Sequence, residues 1–138
     1  MKQPAILIID GQGGRIGAQL ISQLKKEAPA ALITAVGTNS LATSAMLKAG
    51  ADQAATGENA VLVACRRATV IAGPLGIAVA DSFLGEVTPA MAVAVGQSDA
   101  DKVFIPANRC GNMVAGIGKA SLSDLLDDAV QLILQSLA

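Results

Sequence analysis

The chain has no histidine, no tyrosine and no tryptophan, and only two phenylalanines in 138 residues. Without histidine, the side chain that most often moves protons near neutral pH is missing. Without tyrosine, a tyrosine–lysine proton relay is excluded as well. The two cysteines, Cys65 and Cys110, form neither a disulfide framework nor a metal-ligand spacing, and no metal is expected. A formal net charge of −1 gives no electrostatic reason to bind nucleic acid or an anionic membrane. The short basic pairs Lys25-Lys26 and Arg66-Arg67 read as complements to helix carboxyl ends. The uncharged run Ala68 to Ala80 contains Gly73, Pro74 and Gly76 and falls short of a membrane span. The first apolar run is too short for a signal peptide. The expectation is a cytoplasmic protein with no nucleic-acid or membrane partner.

What is present is a core of small aliphatic residues. Hydrophobic residues make up 52% of the chain and charged ones 15%. That balance fits one folded domain over residues 1–138, with no linker, repeat or low-complexity segment. Alanine, valine, isoleucine and leucine suit helices packed closely on a sheet buried on both faces.

The first stretch organises the rest. Ala5 to Ile9 is an apolar run of strand length, followed by Asp10 and the turn Gly11-Gln12-Gly13-Gly14-Arg15-Ile16-Gly17. Ile16, Leu20, Ile21 and Leu24 then recur at helical spacing. Further strands are expected over Ala31–Val36, Ala51–Ala55, Thr69–Ala72 and Lys102–Ile105, with Met113–Ile117 as a candidate sixth. Helices are expected from Ser40 to Ala49, closed by Gly50, and from a Thr56 cap through Glu58 to Arg67. Two more start at Thr88-Pro89 and at the capping sequence Ser121-Leu-Ser-Asp124. The span Ile77–Phe83 is ambiguous between helix and strand. Alternating strands and helices give an α/β fold: a single doubly wound, mostly parallel sheet of five to six strands with helices on both faces, Rossmann-like.

In such a sheet ligands bind at the strands' carboxyl edge, at the switch point. The loops that meet there are Gly11–Gly17, Gly37–Ser40, Gly73–Gly76 and Pro106–Asn112. The glycines read as G-x-x-G-x-x-G through Gly11, Gly14 and Gly17, or as G-x-G-x-x-x-G through Gly13. Gly11 would permit the sharp turn, Gly13 or Gly14 a close approach to a pyrophosphate, and Gly17 tight helix–strand packing. The expected cofactor contacts are Gly11, Gln12, Gly13, Gly14, Arg15, Ile16, Gly17, Thr38, Asn39, Ser40, Gly73, Pro74, Gly76, Asn108 and Arg109, with NAD(P) as the cofactor. Where NAD binders place an acid after the second strand, this chain has Gly37, Thr38, Asn39 and Ser40. That slightly favours NADP, with Arg15 as the nearest cation. Asp10, beside a pyrophosphate site, is read first as a holder of loop N–H groups.

The run Ile8-Ile-Asp-Gly-Gln-Gly-Gly-Arg-Ile-Gly17 resembles the phosphate loop of dihydrodipicolinate reductases, nicotinamide-dependent enzymes. The resemblance implies cofactor contact by Gly11–Ile16 and by Gly73–Gly76. It covers about the first 25 residues. Those reductases use a histidine-rich motif, which this chain lacks, so their activity does not transfer. Over its whole length, including Gly37-Thr-Asn, Ala55-Thr-Gly-Glu-Asn-Ala60, Gly73-Pro-Leu-Gly-Ile77 and Pro106-Ala-Asn-Arg-Cys110, the chain is similar to a family of small bacterial proteins of unknown function.

Candidate proton-transfer groups are few: Cys110 beside Arg109, then Glu58 and Glu86, with Asp81 and Glu86 flanking Gly85 as a candidate pair. Cys65 reads as a core thiol. Two functional classes follow. One is an NAD(P)-binding protein with oxidoreductase activity; the other is a non-enzymatic sensor or partner protein binding a nucleotide or small anionic metabolite. A single small domain leaves one side of a cofactor uncovered, so a homodimer is expected, with the apolar Leu122–Leu137 helix as its interface.

Overall fold

The computed structural model describes residues 3–107 and 111–138. Five parallel strands form one sheet: β1 (Ala5–Asp10), β2 (Leu32–Gly37), β3 (Gln53–Thr56), β4 (Val70–Pro74) and β5 (Asp101–Ile105), in the order β3-β2-β1-β4-β5. The helices are α1 (Arg15–Glu27), α2 (Ser40–Lys48), α3 (Glu58–Cys65), α4 (Pro89–Gln97) and α5 (Leu122–Leu137). This is a doubly wound α/β fold of Rossmann type.

The apolar alternation of β1 explains the two layers. Ile6 and Ile8 face a core shared with Ile16, Leu20, Ile21 and Leu24 of α1 and Leu126, Ala129, Val130 and Ile133 of α5. Leu7 and Ile9 face the other core, with Val61 of α3 and Met91 and Val95 of α4. β1 therefore pairs on both sides, Asp10 opposite Gly37 of β2 and Ile8 opposite Ala72 of β4. The chain runs outward to β3 and then crosses back to β4, so the switch point lies at the carboxyl end of β1.

Several ends follow the chemistry expected. Thr88 caps α4, its hydroxyl accepting from the Met91 N–H at 3.2 Å, with Pro89 as the first helical residue. Ser121 caps α5 through the Asp124 N–H. Gly50 follows the α2 cap with φ +119°. Other expectations give way. Thr56 does not cap α3; it ends β3, its hydroxyl 2.7 Å from that of Thr43, and Gly57 takes the cap position. The ambiguous span resolves into a 3₁₀ turn at Leu75–Ala78 and a looped crossing to Val87. Met113–Ile117 is irregular and not a sixth strand: Met113 is 94% exposed, and β5 already ends the sheet. The apolar stripe of α5 is spent on the protein's own core, leaving Leu122 and Leu132 outside. Among the described residues, no helix is long and apolar enough to cross a membrane.

Gly73 shows how closely β1 and β4 approach. A Cβ there would run into the Ile9 carbonyl oxygen, a backbone atom that cannot turn aside. Gly73→Ala is therefore expected to cost roughly 1–3 kcal/mol. Thermal denaturation should show a loss of several degrees in Tm.

Candidate functional site

Asp10, at the end of β1, is 5% exposed. Its Oδ1 accepts from the Gly11 N–H at 2.7 Å and its Oδ2 from the Gly17 N–H at 2.8 Å. One carboxylate thus fastens both ends of the glycine turn, the holding role expected of it. Burial pushes its carboxyl above the ordinary range. The Gly17 and Gly11 bonds pull it back down, and the nearby Glu86 charge raises it further. The N–H groups that a pyrophosphate would meet at the start of α1 are partly taken by this internal anion.

The glycines divide differently from the expectation. A Cβ on Gly11 would meet Thr38 Oγ1 at 2.6 Å, the Phe83 ring at 2.7 Å and Glu86 Oε1 at 2.9 Å. Gly14 has φ +71°, and a Cβ there would meet the Ala42 backbone of α2 at 2.8 Å, so its role is helix packing. Gly17 sits between Met46 and Asp10, as its packing role requires. Only Gly13 of this turn opens outward: a Cβ there would meet nothing nearer than Arg15 Cγ at 4.0 Å. The Gly14 N–H donates to the Gly11 carbonyl and that of Gln12 to Glu86. Among the described residues, the N–H groups of Gly13 and Arg15 have no acceptor within the chain. The Arg15 side chain is exposed, and the one ion pair among the described residues is Lys25–Asp52. Ile16 is 6% exposed and belongs to the core.

Glu86 is the residue sequence reasoning placed least well. It arrives from the crossing between β4 and α4, where Asp81, Phe83, Leu84 and Gly85 all have positive φ. Its Oε1 accepts from Thr38 Oγ1 at 2.7 Å, Asn39 Nδ2 at 2.8 Å and the Gln12 N–H at 2.8 Å. Burial raises this carboxyl, but the three donors outweigh it and hold the value below the ordinary range. Asn39 also caps α2 through the Ala42 N–H and donates to the Gln12 carbonyl at 3.0 Å. Ser40 is the exposed first residue of α2. Asp81 is exposed, its N–H bonded to the Val87 carbonyl. The Gly85 between the two acids was the available sequence signal. It marked a tight turn but not where that turn delivers Glu86.

The remaining candidates separate. Gly73 and Pro74 are buried, and a Cβ on Gly76 would meet the Phe83 ring at 2.9 Å and Ser82 Cβ at 3.0 Å. Protein atoms thus close the β1/β4 side of the edge. Ser82 is 3% exposed, and its hydroxyl finds no partner among the described residues. Glu58, the first residue of α3, is exposed and accepts from Thr88 Oγ1 at 2.6 Å, joining two helix starts. Cys65 ends α3 and is buried; burial pushes its thiol up to about 11, which keeps it protonated and inert at neutral pH. It lines a hollow of about 610 Å³ at the opposite edge of the sheet, with Arg66, Ser98 and Asp99. That hollow lies away from the glycine turn and holds no activated group. Asn108, Arg109 and Cys110 lie outside the described residues.

Removing the Glu86 carboxylate strands three donors. Glu86→Ala is expected to cost about 1–2 kcal/mol in urea denaturation. A carboxyl held below its ordinary value contributes fully above that value and loses the contribution as pH falls through the folded one. The gap between wild type and Glu86→Ala should therefore narrow between about pH 6 and about pH 3. Asp10, held above its ordinary value, has the opposite sign: it favours the fold most when protonated and less as pH rises.

A solved structure with a similar course, a dodecameric FMN-dependent UbiX-like decarboxylase from Escherichia coli O157:H7, matches with a TM-score of 0.46 and 14% identity, over 98% of this chain and 94% of that one. No curated protein matches the sequence. The family model described as a domain of unknown function, DUF3842, matches residues 5–138. The chain therefore belongs to the DUF3842 family.

Proposed function

We propose that this chain binds a nucleotide of the NAD(P) class at the carboxyl edge of β1 and β2, as a binding or sensing protein. The observation that carries the reading is Gly13, the glycine of the turn whose missing side chain opens to solvent. It lies beside two N–H groups without internal acceptors and the unpaired Arg15 guanidinium. Backbone donors at the start of a 13-residue helix, with a cation next to them, suit a phosphate. The residues present fit such a group on the outer side of the turn and not deep in it, where Asp10 takes the donors.

Binding is favoured over catalysis by the state of the described acids. Glu58 is tied to the α4 cap, and Glu86 is held below its ordinary value, the wrong direction for a proton shuttle near neutrality. A second copy covering the exposed face of the ligand belongs to the same reading. A ligand at the open edge of one small domain is otherwise wet on one side.

Native mass spectrometry, followed by thermal shift against NAD, NADP, ATP, FAD and S-adenosylmethionine, tests this. A shift with at least one of them is expected; no shift with any overturns the reading. Gly13→Asp is the informative variant, since space is open there and its stability should stay within about 0.5 kcal/mol of wild type. It should abolish the shift by placing a carboxylate where the phosphate sits. Gly14→Asp is not a clean probe, because strain and the Ala42 contact would unfold the turn. Light scattering is expected to show a dimer; a strict monomer would remove the shared-site part of the proposal.

A further inference from the structure

We propose that Glu86 is the ribose-recognising acid of this site, supplied by the crossing after β4 instead of by the end of β2. The ligand would then carry a free ribose 2′,3′-diol and not a 2′-phosphate. The assignment rests on the nucleotide-binding reading above and makes it specific.

The end of β2 has no acid of its own: Gly37 is followed by Thr38, Asn39 and Ser40. Glu86 is bonded to Thr38 and Asn39, so its carboxylate stands where an acid on that strand end would put one. The Gln12 N–H holds the same oxygen to the glycine turn, next to Gly13. Oε1 is occupied by three donors; among the described residues Oε2 has none, and it can accept from a hydroxyl.

The neighbouring groups point the same way. The Thr38 hydroxyl spends its only proton on Glu86. The Asn39 amide spends its two on Glu86 and the Gln12 carbonyl. The Thr38 and Asn39 side-chain donors that a 2′-phosphate would call on at this strand end are already used. Besides the exposed Ser40, what this strand end presents is an acceptor carrying negative charge, complementary to hydroxyls and repulsive to a second phosphate. The same crossing carries Ser82, a buried hydroxyl for which the described chain provides no partner. The two ends of the site thus differ: Gly13 and Arg15 present donors and a cation, Glu86 an anion.

Isothermal titration calorimetry on the full chain with two ligand pairs, NAD against NADP and AMP against adenosine 2′,5′-bisphosphate, tests the assignment. In each pair the 2′-hydroxyl form should bind at least ~10-fold tighter. Glu86→Gln should narrow that difference to about threefold or less, because the like-charge penalty is gone. Wild-type protein alone decides the question if the variant folds poorly. Equal or tighter binding of the 2′-phosphorylated forms, lost in Gly13→Asp, overturns the ribose role and leaves the nucleotide reading standing. A preference unchanged in folded Glu86→Gln overturns it too. No binding by any of the four ligands overturns both.

Discussion

A buried carboxylate at the end of the central strand holds the carboxyl edge of the sheet together. Asp10 accepts from the first and last glycines of the turn, so the path between β1 and α1 is set by one side chain. The helix start is neutralised from inside, as a cap would do, and what the turn offers outward is reduced to Gly13 and Arg15. Glu86 adds a second carboxylate to the same turn from the far side of the sequence. Two anions around one glycine loop give the edge its polarity: donors toward the outer turn, acceptors toward β2. A pyrophosphate laid deep across the loop would meet that charge head on. A ligand with phosphate at one end and hydroxyls at the other would not.

Much of the architecture was legible in the sequence because periodicity and caps are local. The α1 stripe, the Thr88-Pro89 start, the Ser121 cap and Gly50 each depend on a few adjacent residues, and all appear where expected. Met113–Ile117 failed as a strand because an apolar run needs a neighbour to pair with, and the sheet ends at β5. Gly57 displaced Thr56 as the α3 cap because Thr56 is held by Thr43 at the end of β3.

The site was less legible for a related reason. A glycine pattern says where side chains are missing, not what fills the space. Gly11 makes room for Phe83 and Glu86, Gly14 for α2 and Gly76 for the crossing segment, all distant in sequence or across a helix. Of the glycines in the turn after β1, only Gly13 keeps its space open. Glu86 was visible as an acid beside a glycine, but its three partners lie 47 to 74 residues away. No spacing rule connects them.

That separation has a consequence for how the protein comes together. The contacts of Glu86 span two loops that only a finished sheet brings side by side: the turn after β1 and the turn after β2, reached by a segment that must first have crossed from β4. Closing so long a stretch of chain is slow relative to forming a local helix. Half the fold, β1 through β3, already contains the glycine loop, Thr38 and Asn39, yet without the later strands it lacks the acid that joins them. A chain still being made would therefore carry the loop, Thr38 and Asn39 well before it carried the acid that joins them.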